Sequence, residues 1–478
     1  MAENLLRPQP YLAENPLERT LRESFDTNRR ILDPPFPLSI PTPEEYLCLT
    51  RAILYSILTE GRTRGIRLKY LHAIVVDGYA SFTALTASVV DELFERLLDD
   101  AKEQIVWIAG EMVEVGAQGF GDLLVSLLRQ VVGGDYGDGN MWLCFEEASL
   151  FLRKWSALLE EDGEGRSALC CGFYCFLRLL GDHCRTRWSG DERLSALRQL
   201  EIDFCTKMLK EQFSLCMNVG RDLIRMLQDL VHVPEFHEIW KDLVLNPGAF
   251  GCPLFSDISQ IYRIRTPSRY FLLRLTPEME RQMRFLLTNL KLGGQKRHQA
   301  WFWNKFLGTN PERETLVIDL IRFVCCAHHP TKEVLHSDII PRWAVIGWLL
   351  KCCRKNYVEA NAKLALFYDW LFFDERVDKV MNIEPALLLM VCSLPQYVAI
   401  TDSLLEFLLL LVDNYDVDRM ALITRGVLTS FDVLTRSGVV PSSDALTSAE
   451  GISPPLKERL GALLLRKEDH SAEAHAID

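Results

Sequence analysis

The chain carries none of the short signatures that mark common enzymes. No GxSxG, HExxH, GxGxxG or kinase-type set occurs, and no histidine has Ser, Cys or carboxylate partners arranged as a triad in sequence. Motif-bearing enzyme classes are thereby excluded, although a triad assembled in space would leave no such trace. No CxxC occurs, and the 14 cysteines follow no repeated spacing; three adjacent pairs stand at Cys170 and Cys171, Cys325 and Cys326, Cys352 and Cys353. Without paired close spacings a zinc site is not expected, and the cysteines read as small buried apolar residues of a reducing compartment. The longest apolar run, LLEFLLLLV from Leu404 to Val412, is far short of the about 20 residues a membrane span needs. The N-terminus lacks a basic region followed by an apolar run, so a secretory leader is not expected and the chain reads as soluble, intracellular and off the membrane. Strand signals are also scarce, limited to pieces such as AIVVDGY.

What is present is helix. In AKEQIVWIAGEMVEVG the apolar residues Ile105, Ile108, Ala109, Met112 and Val113 fall at helical spacing, with Gly116 where a left-handed cap belongs. The same spacing recurs at Leu223, Met226, Leu227, Leu230 and Val231, after which Pro234 opens a further helix that Pro247 closes. SDIIPRWAVIGWLLKCC, with Ser337 or Asp338 as cap, and TDSLLEFLLLLVD, with Thr401 or Asp402, continue the series. Roughly eighteen such segments are expected, of the length typical of globular helices. So many short-linked helices do not share one bundle core. The expected fold is all-α, an α-α superhelix or solenoid of degenerate HEAT-like helical pairs, since no strict period appears.

The expected organisation has four parts. Residues 1–43 form a proline-rich extended lead-in and 44–431 the helical-repeat scaffold. Residues 432–466 are a Ser/Pro-rich connection with a last helix around Leu456 to Leu465, and 467–478 a disordered polar tail.

Three features invite a chemical reading. The stretch NAKLALFYDWLFF sets Phe367, Tyr368, Trp370, Phe372 and Phe373 on most sides of one helix, which favours core packing in the middle of an array over a partner groove or cofactor box. CCGFYCFLRLLGDHC brings Cys171, Cys175, His183 and Cys184 together, and CCAHHP resembles it, but both sit in helical, apolar surroundings, so no metal and no cofactor is expected. GGDYGDGN from Gly133 to Asn140 lacks the Lys and Ser/Thr of a phosphate loop and has glycines where a calcium loop needs oxygens; it reads as a turn between helices.

Charge gives the one anomaly. The chain carries a formal net charge of −12 and would repel polyanions as a whole. From Ile261 to Phe306, however, ten Lys or Arg stand against Glu278 and Glu280, interleaved with Tyr270, Trp301, Phe302, Trp303 and Phe306. Arg263, Arg265, Arg269, Lys296, Arg297 and Lys305 are the candidate contacts for a nucleic acid or an acidic partner. Three readings stay open: a single-stranded nucleic-acid site, a solvated face over buried rings, and a basic dock for an acidic segment.

Several of these segments, among them WIAGEMVEVG, EIDFCTKMLKEQF, GRDLIRMLQDLVHVPEFHEIWKDLVLNP, RLTPEMERQMRFLLTNLKLGGQKRHQAWFWNKFL, VLHSDIIPRWAVIGWLLKCC and NAKLALFYDWLFF, resemble in order the N-terminal half of the Integrator complex subunit 3 family, over about residues 43–465. The resemblance implies membership of the sensor of single-strand DNA complex as well. It implies a non-enzymatic helical scaffold in the nucleus, with the cytoplasm open as a second location. Its implied partners are an OB-fold single-strand DNA-binding protein, a small third member of the sensor complex and other Integrator subunits, with single-stranded DNA reached indirectly. It implies work in the DNA damage response, including double-strand break repair, and in small nuclear RNA 3′-end processing and transcription termination. Family members also carry a second helical half, implicated in self-association and RNA binding, that the resemblance does not reach.

Overall fold

The computed structural model describes residues 5–8, 14–37, 40–131, 138–160, 163–185, 191–308, 311–442 and 444–474. Among them the regular structure is helical, and β pairing is confined to two isolated bridges, Leu6 with Leu97 and Lys291 with Ile339. The described residues divide into two compact units, the first ending at Leu215 and the second starting at Cys216. No shift in composition marks residue 215, so the sequence reads there as uninterrupted helical scaffold.

In the first unit the proline-rich lead-in departs from the extended form expected of it. Pro16 occupies the first turn of the helix Pro16–Asn28, where a missing N–H costs nothing, and the Asn15 side chain accepts from Leu17 N at 2.8 Å. Leu21 and Phe25 of this helix are buried, the Phe25 ring 5.3 Å from Tyr55 on the helix Pro43–Thr59. Between the two helices the described residues 29–37 and 40–42 are non-helical, and Arg67 holds the first of these stretches by donating to Leu32 O and to Asp33. Proline therefore starts helices here as well as ending them. Pro43 repeats the device, behind a capping box of Thr42 and Glu45.

The helix Asp99–Glu114 follows the periodicity read from it. Ile105, Ile108, Ala109, Met112 and Val113 are all buried, Gly116 takes φ 59°, and Ala117 N donates to Met112 O at 2.9 Å to close the cap. The helix Glu164–Arg185 buries most of its length, Cys170, Cys171 and Cys175 included, and packs on Phe120–Leu128 and Glu192–Glu211. Its polar end is satisfied internally: Arg178 pairs with Asp182 at 3.0 Å, and His183 Nδ1 lies 2.8 Å from Glu201. No group of three or more metal-ligating side chains occurs among the described residues. The glycine-rich turn lies outside the described residues as far as Gly137.

In the second unit each helix stacks on near neighbours in sequence. Leu316–Cys326 packs on Arg342–Cys352 and Asn356–Leu371, Val380–Ser393 on Val398–Asn414, and Met420–Arg436 on Asn356–Leu371 and Val398–Asn414. This is the stacking of degenerate helical pairs expected of an α-solenoid. Two caps differ from expectation. The helix of RWAVIGWLLKCC begins at Arg342 after Pro341, because Ser337 donates to Val334 O and Asp338 pairs with Lys291. The next begins earlier, at Val398, so Thr401 lies inside it and donates to Met390 O at 2.7 Å, while Asp402 accepts from Ser453 N.

The closing helix runs Pro454–Ala474, with Leu456, Leu460 and Leu463 buried. The tail expected to be disordered from residue 467 is thus helical as far as Ala474, its Lys, Glu and Ala being good helix formers; 475–478 lie outside the described residues.

The five clustered rings are packing material. Phe367, Tyr368 and Trp370 on Asn356–Leu371, and Phe372 and Phe373 just beyond, are all buried. Trp370 meets Phe431 edge to face at 5.1 Å and donates its indole N–H to Ile383 O at 3.0 Å. Tyr368 donates to Arg221 O at 2.8 Å. Gly426 makes the approach possible, since a Cβ there would stand 2.4 Å from Leu371 O.

Candidate binding surface

The basic segment folds as a series of short helices. Thr276 caps Pro277–Asn289 by accepting from Met279 N at 3.2 Å, and Met279, Met283, Leu286 and Leu287 turn inward. Arg281, Arg284 and Phe285 are left on the outer side. After a turn in which Gly293 takes φ 98°, the helix Lys296–Phe302 begins and continues into a widened, π-type turn over Trp303–Leu307, with Gly308 N donating to Trp303 O.

Folding spends much of the local positive charge. Arg274 is buried beside Asp319, Arg281 and Lys305 both face Glu278 (2.7 and 3.6 Å), Arg284 pairs with Glu280 at 2.6 Å, and Lys291 with Asp338 at 2.7 Å. Of the six candidate residues, Arg263, Arg265, Lys296 and Arg297 make no ion pair among the described residues, and Arg269 lies over the Tyr270 ring. Arg263 lines a groove of about 1220 Å³ beside the helix Met420–Arg436, with Asp374, Arg425 and Asp432 on its walls. Lys296, Arg297 and Lys305 lie on the helix and turn that carry Trp301.

The rings divide as well. Tyr270, Phe302 and Phe306 are buried, and Trp303 lies half-buried under Arg354, whose Cζ is 5.1 Å from its centroid. Trp301 is 41% exposed and forms a surface row with His298, at 5.4 Å, and Phe285, at 5.5 Å from His298 and 45% exposed. Lys305 stands 5.6 Å over Trp301. Phe285 and His298 escape a sequence reading that weighs only charges and the tryptophan cluster. The signal is Phe285 itself, one position off the stripe that Met279, Met283, Leu286 and Leu287 define.

The sequence reading also missed a buried ionic cluster in the same unit. Arg322 on Leu316–Cys326 donates to Asp369 Oδ2 and to Asp222 Oδ1, each at 2.9 Å; Arg221 reaches Asp369 at 3.3 Å and Asp378 at 3.0 Å, and Arg225 reaches Asp222 at 2.9 Å. Three guanidinium groups thus balance three carboxylates in the interior, as buried charges require. Burial alone would raise the Asp369 carboxyl, but Arg322 and Arg221 outweigh it and hold Asp369 at about 2. Burial dominates at Asp378, whose pKa is raised despite Arg221. Gly220 seats the cluster, with φ 75° and a Cβ position 2.7 Å from Ile264 O, so the start of the basic segment lies directly against it. Arg221 N donates to Ile264 O there, and Asp222 N to Thr266 Oγ1.

A second buried cation, Arg342, donates to the carbonyls of Val324, Cys325 and His328 at the end of Leu316–Cys326 and to Glu384 at 2.7 Å. His328 beside it is buried with neither ring nitrogen hydrogen-bonded among the described residues. Burial, with Arg284 and Arg342 nearby, lowers its pKa to about 4. These groups bind neighbouring helices to one another.

The family model described as Integrator complex subunit 3 N-terminal matches residues 44–462. Integrator complex subunit 3 of Homo sapiens is 36% identical over 429 residues, 90% of this chain and 39% of that protein. The Mus musculus protein is 35% identical over 89% of this chain and 39% of its own length, and the Dictyostelium discoideum homolog 38% identical over 86% and 27%. The chain therefore spans about two fifths or less of the length of these relatives. A solved NOT1 superfamily homology domain from Chaetomium thermophilum aligns over 94% of this chain and 98% of that one, at 14% identity and a TM-score of 0.33. With a family model that covers both compact units, the chain belongs to the Integrator complex subunit 3 N-terminal family.

Proposed function

We propose that the chain is a non-catalytic scaffold component of an Integrator complex, working in the nucleus through the outer faces of its stacked helices. The family match over residues 44–462 carries this reading, and the fold agrees with it: the charged clusters of the interior are spent on joining helices. In finer detail, the scaffold holds an OB-fold single-strand DNA-binding protein and a small third subunit, which serves the DNA damage response and double-strand break repair. Within Integrator it serves small nuclear RNA 3′-end processing and transcription termination. The test is co-expression of this chain with an OB-fold single-strand-binding protein, followed by size-exclusion chromatography. Co-elution as a stoichiometric complex is the expected result; separate peaks at micromolar concentration would remove the sensor-complex reading. Recovery of Integrator subunits with the tagged chain from nuclear extract, judged by mass spectrometry, tests the coarser one.

The exposed row of Phe285, His298 and Trp301 beside Lys296, Arg297 and Lys305 favours a second reading, direct contact with single-stranded nucleic acid. Rings that stack bases beside cations that follow phosphates are the usual components of such a site. A fluorescent single-stranded oligonucleotide titrated at about 100 mM salt separates the two, because phosphate contacts still register there. An inert chain that supershifts the oligonucleotide only with the OB-fold protein present is an adaptor. Binding by the chain alone, weakened by Lys296→Glu with Arg297→Glu, supports the second reading, and binding unchanged by those reversals refutes it.

A further inference from the structure

The first unit contains a cleft of about 570 Å³ that none of the preceding functions uses. One wall is the helix Asp99–Glu114, where Glu103, Trp107 and Glu111 follow one another at intervals of four and so form one stripe. The other is the helix Asp138–Arg153, where Trp142, Glu146 and Leu150 repeat the spacing. Gly110 lets the walls approach, since a Cβ there would already touch Leu150 at 3.2 Å. Both tryptophans are half-exposed, in contrast to the fully buried Trp370.

The charges in the cleft are unevenly used. Lys154 is turned to Glu114 at 2.5 Å, and Arg153 stands 4.0 Å from Glu146. Glu103 and Glu111, either side of Trp107, make no ion pair among the described residues. Arg64 lies on Trp107 with its Cζ 4.6 Å from the ring centroid, anchored by a 3.0 Å hydrogen bond to Gln104. The cleft already accepts one guanidinium on one of its indoles. Trp142 has no such cation among the described residues.

We propose that this cleft binds a short, extended, arginine-bearing peptide segment of a partner protein, one guanidinium stacking on Trp142 and pairing with Glu103 or Glu111. A planar guanidinium suits both the indole face and a carboxylate fork, whereas an ammonium satisfies them less completely. The lining carries as many cations (Arg64, Arg153, Lys154) as carboxylates (Glu103, Glu111, Glu146), but Lys154 is taken by Glu114 and Arg153 stands by Glu146, which leaves the two carboxylates beside Trp107 for an incoming guanidinium. The inference stands independently of the Integrator reading.

The experiment is fluorescence anisotropy of the whole chain with a fluorescein-labelled peptide of alternating glycine and arginine, at about 100 mM salt to suppress nonspecific attraction to the acidic chain. Matched peptides carry lysine, trimethyl-lysine or the uncharged isostere citrulline in place of arginine. The arginine peptide is expected to bind tightest. Glu103→Gln with Glu111→Gln, both solvent-facing changes that leave the core alone, should weaken it by about tenfold, corresponding to 1.4 kcal/mol. Trp142→Ala, checked for an unchanged melting temperature, should weaken it by about two- to fivefold, the size of an exposed cation–π contact. Arg64→Gln should strengthen it by vacating the face of Trp107. Equal binding of the arginine and citrulline peptides, or binding indifferent to the glutamate changes, overturns the proposal. Tighter binding of the lysine or trimethyl-lysine peptide overturns the guanidinium assignment.

Discussion

Two ring-rich stretches of this chain meet opposite fates. Between Phe367 and Phe373 all five rings are buried; between Tyr270 and Phe306, Tyr270, Phe302 and Phe306 are buried, Trp303 is half-covered and Trp301 stands out in solvent. Composition does not distinguish the two. The difference is that the first is one long helix touching neighbours on several sides, whereas the second is short helices and turns that each offer one face inward. Rings are therefore packing where the helix is surrounded and surface where it is not.

The sharpest way to break this comparison is to truncate one ring from each stretch. Trp370→Ala should cost about 3–5 kcal/mol, because a cavity opens beside Phe431 and Gly426 cannot close on it. Trp301→Ala should shift stability by no more than about 0.5 kcal/mol, as for other surface substitutions. Urea unfolding of both variants measures the pair, and similar losses at the two positions would contradict the assignment of Trp301 to the surface.

Asp369→Asn comes next and follows from the charges that share the aromatic helix. It strands Arg221 and Arg322 in the interior and should cost about 3 kcal/mol at neutral pH. The parent's dependence on acid follows the same group. With a folded pKa of about 2, below the unfolded value of about 3.9, Asp369 contributes stability that is complete above pH 4 and lost as pH falls toward 2. The variant should lose that part of the acid slope in denaturation at fixed urea.

His328 acts in a higher window. Its folded pKa of about 4 lies below the unfolded value of about 6.5, so the unfolded chain takes up the proton first, and stability falls as pH drops from about 6.5 toward 4. His328→Leu should flatten the stability profile between those limits, measured by melting temperature against pH. An unchanged slope would place the titration elsewhere.

Legibility differed by the kind of interaction. Apolar stripes were readable because their spacing is the helix period itself: every residue singled out between Ile105 and Val113 is buried, and of the five from Leu223 to Val231 only Val231 is half-covered. Proline was ambiguous, since Pro16 begins a helix that its proline-rich neighbourhood argues against. The candidate site was readable only as a charge count. Glu278 and Glu280 lie within the segment, but Asp319 and Asp338, which neutralise Arg274 and Lys291, come from further along the chain. The cluster of Arg221, Arg322, Asp369 and Asp378 could not be read at all, because its members are separated by up to 157 residues and look like ordinary surface charges until the helices stack.

By itself the sequence determined that this is an all-helical array without a recognisable catalytic set, and it located the helices that carry an apolar stripe, since periodicity and breakers act within a few residues of one another. Tertiary structure alone decided which charges are spent in the interior and which rings reach solvent. It also brought Trp107 and Trp142 to the same cleft. Those outcomes depend on which helix faces which, and pairing across many residues leaves no local trace in the chain.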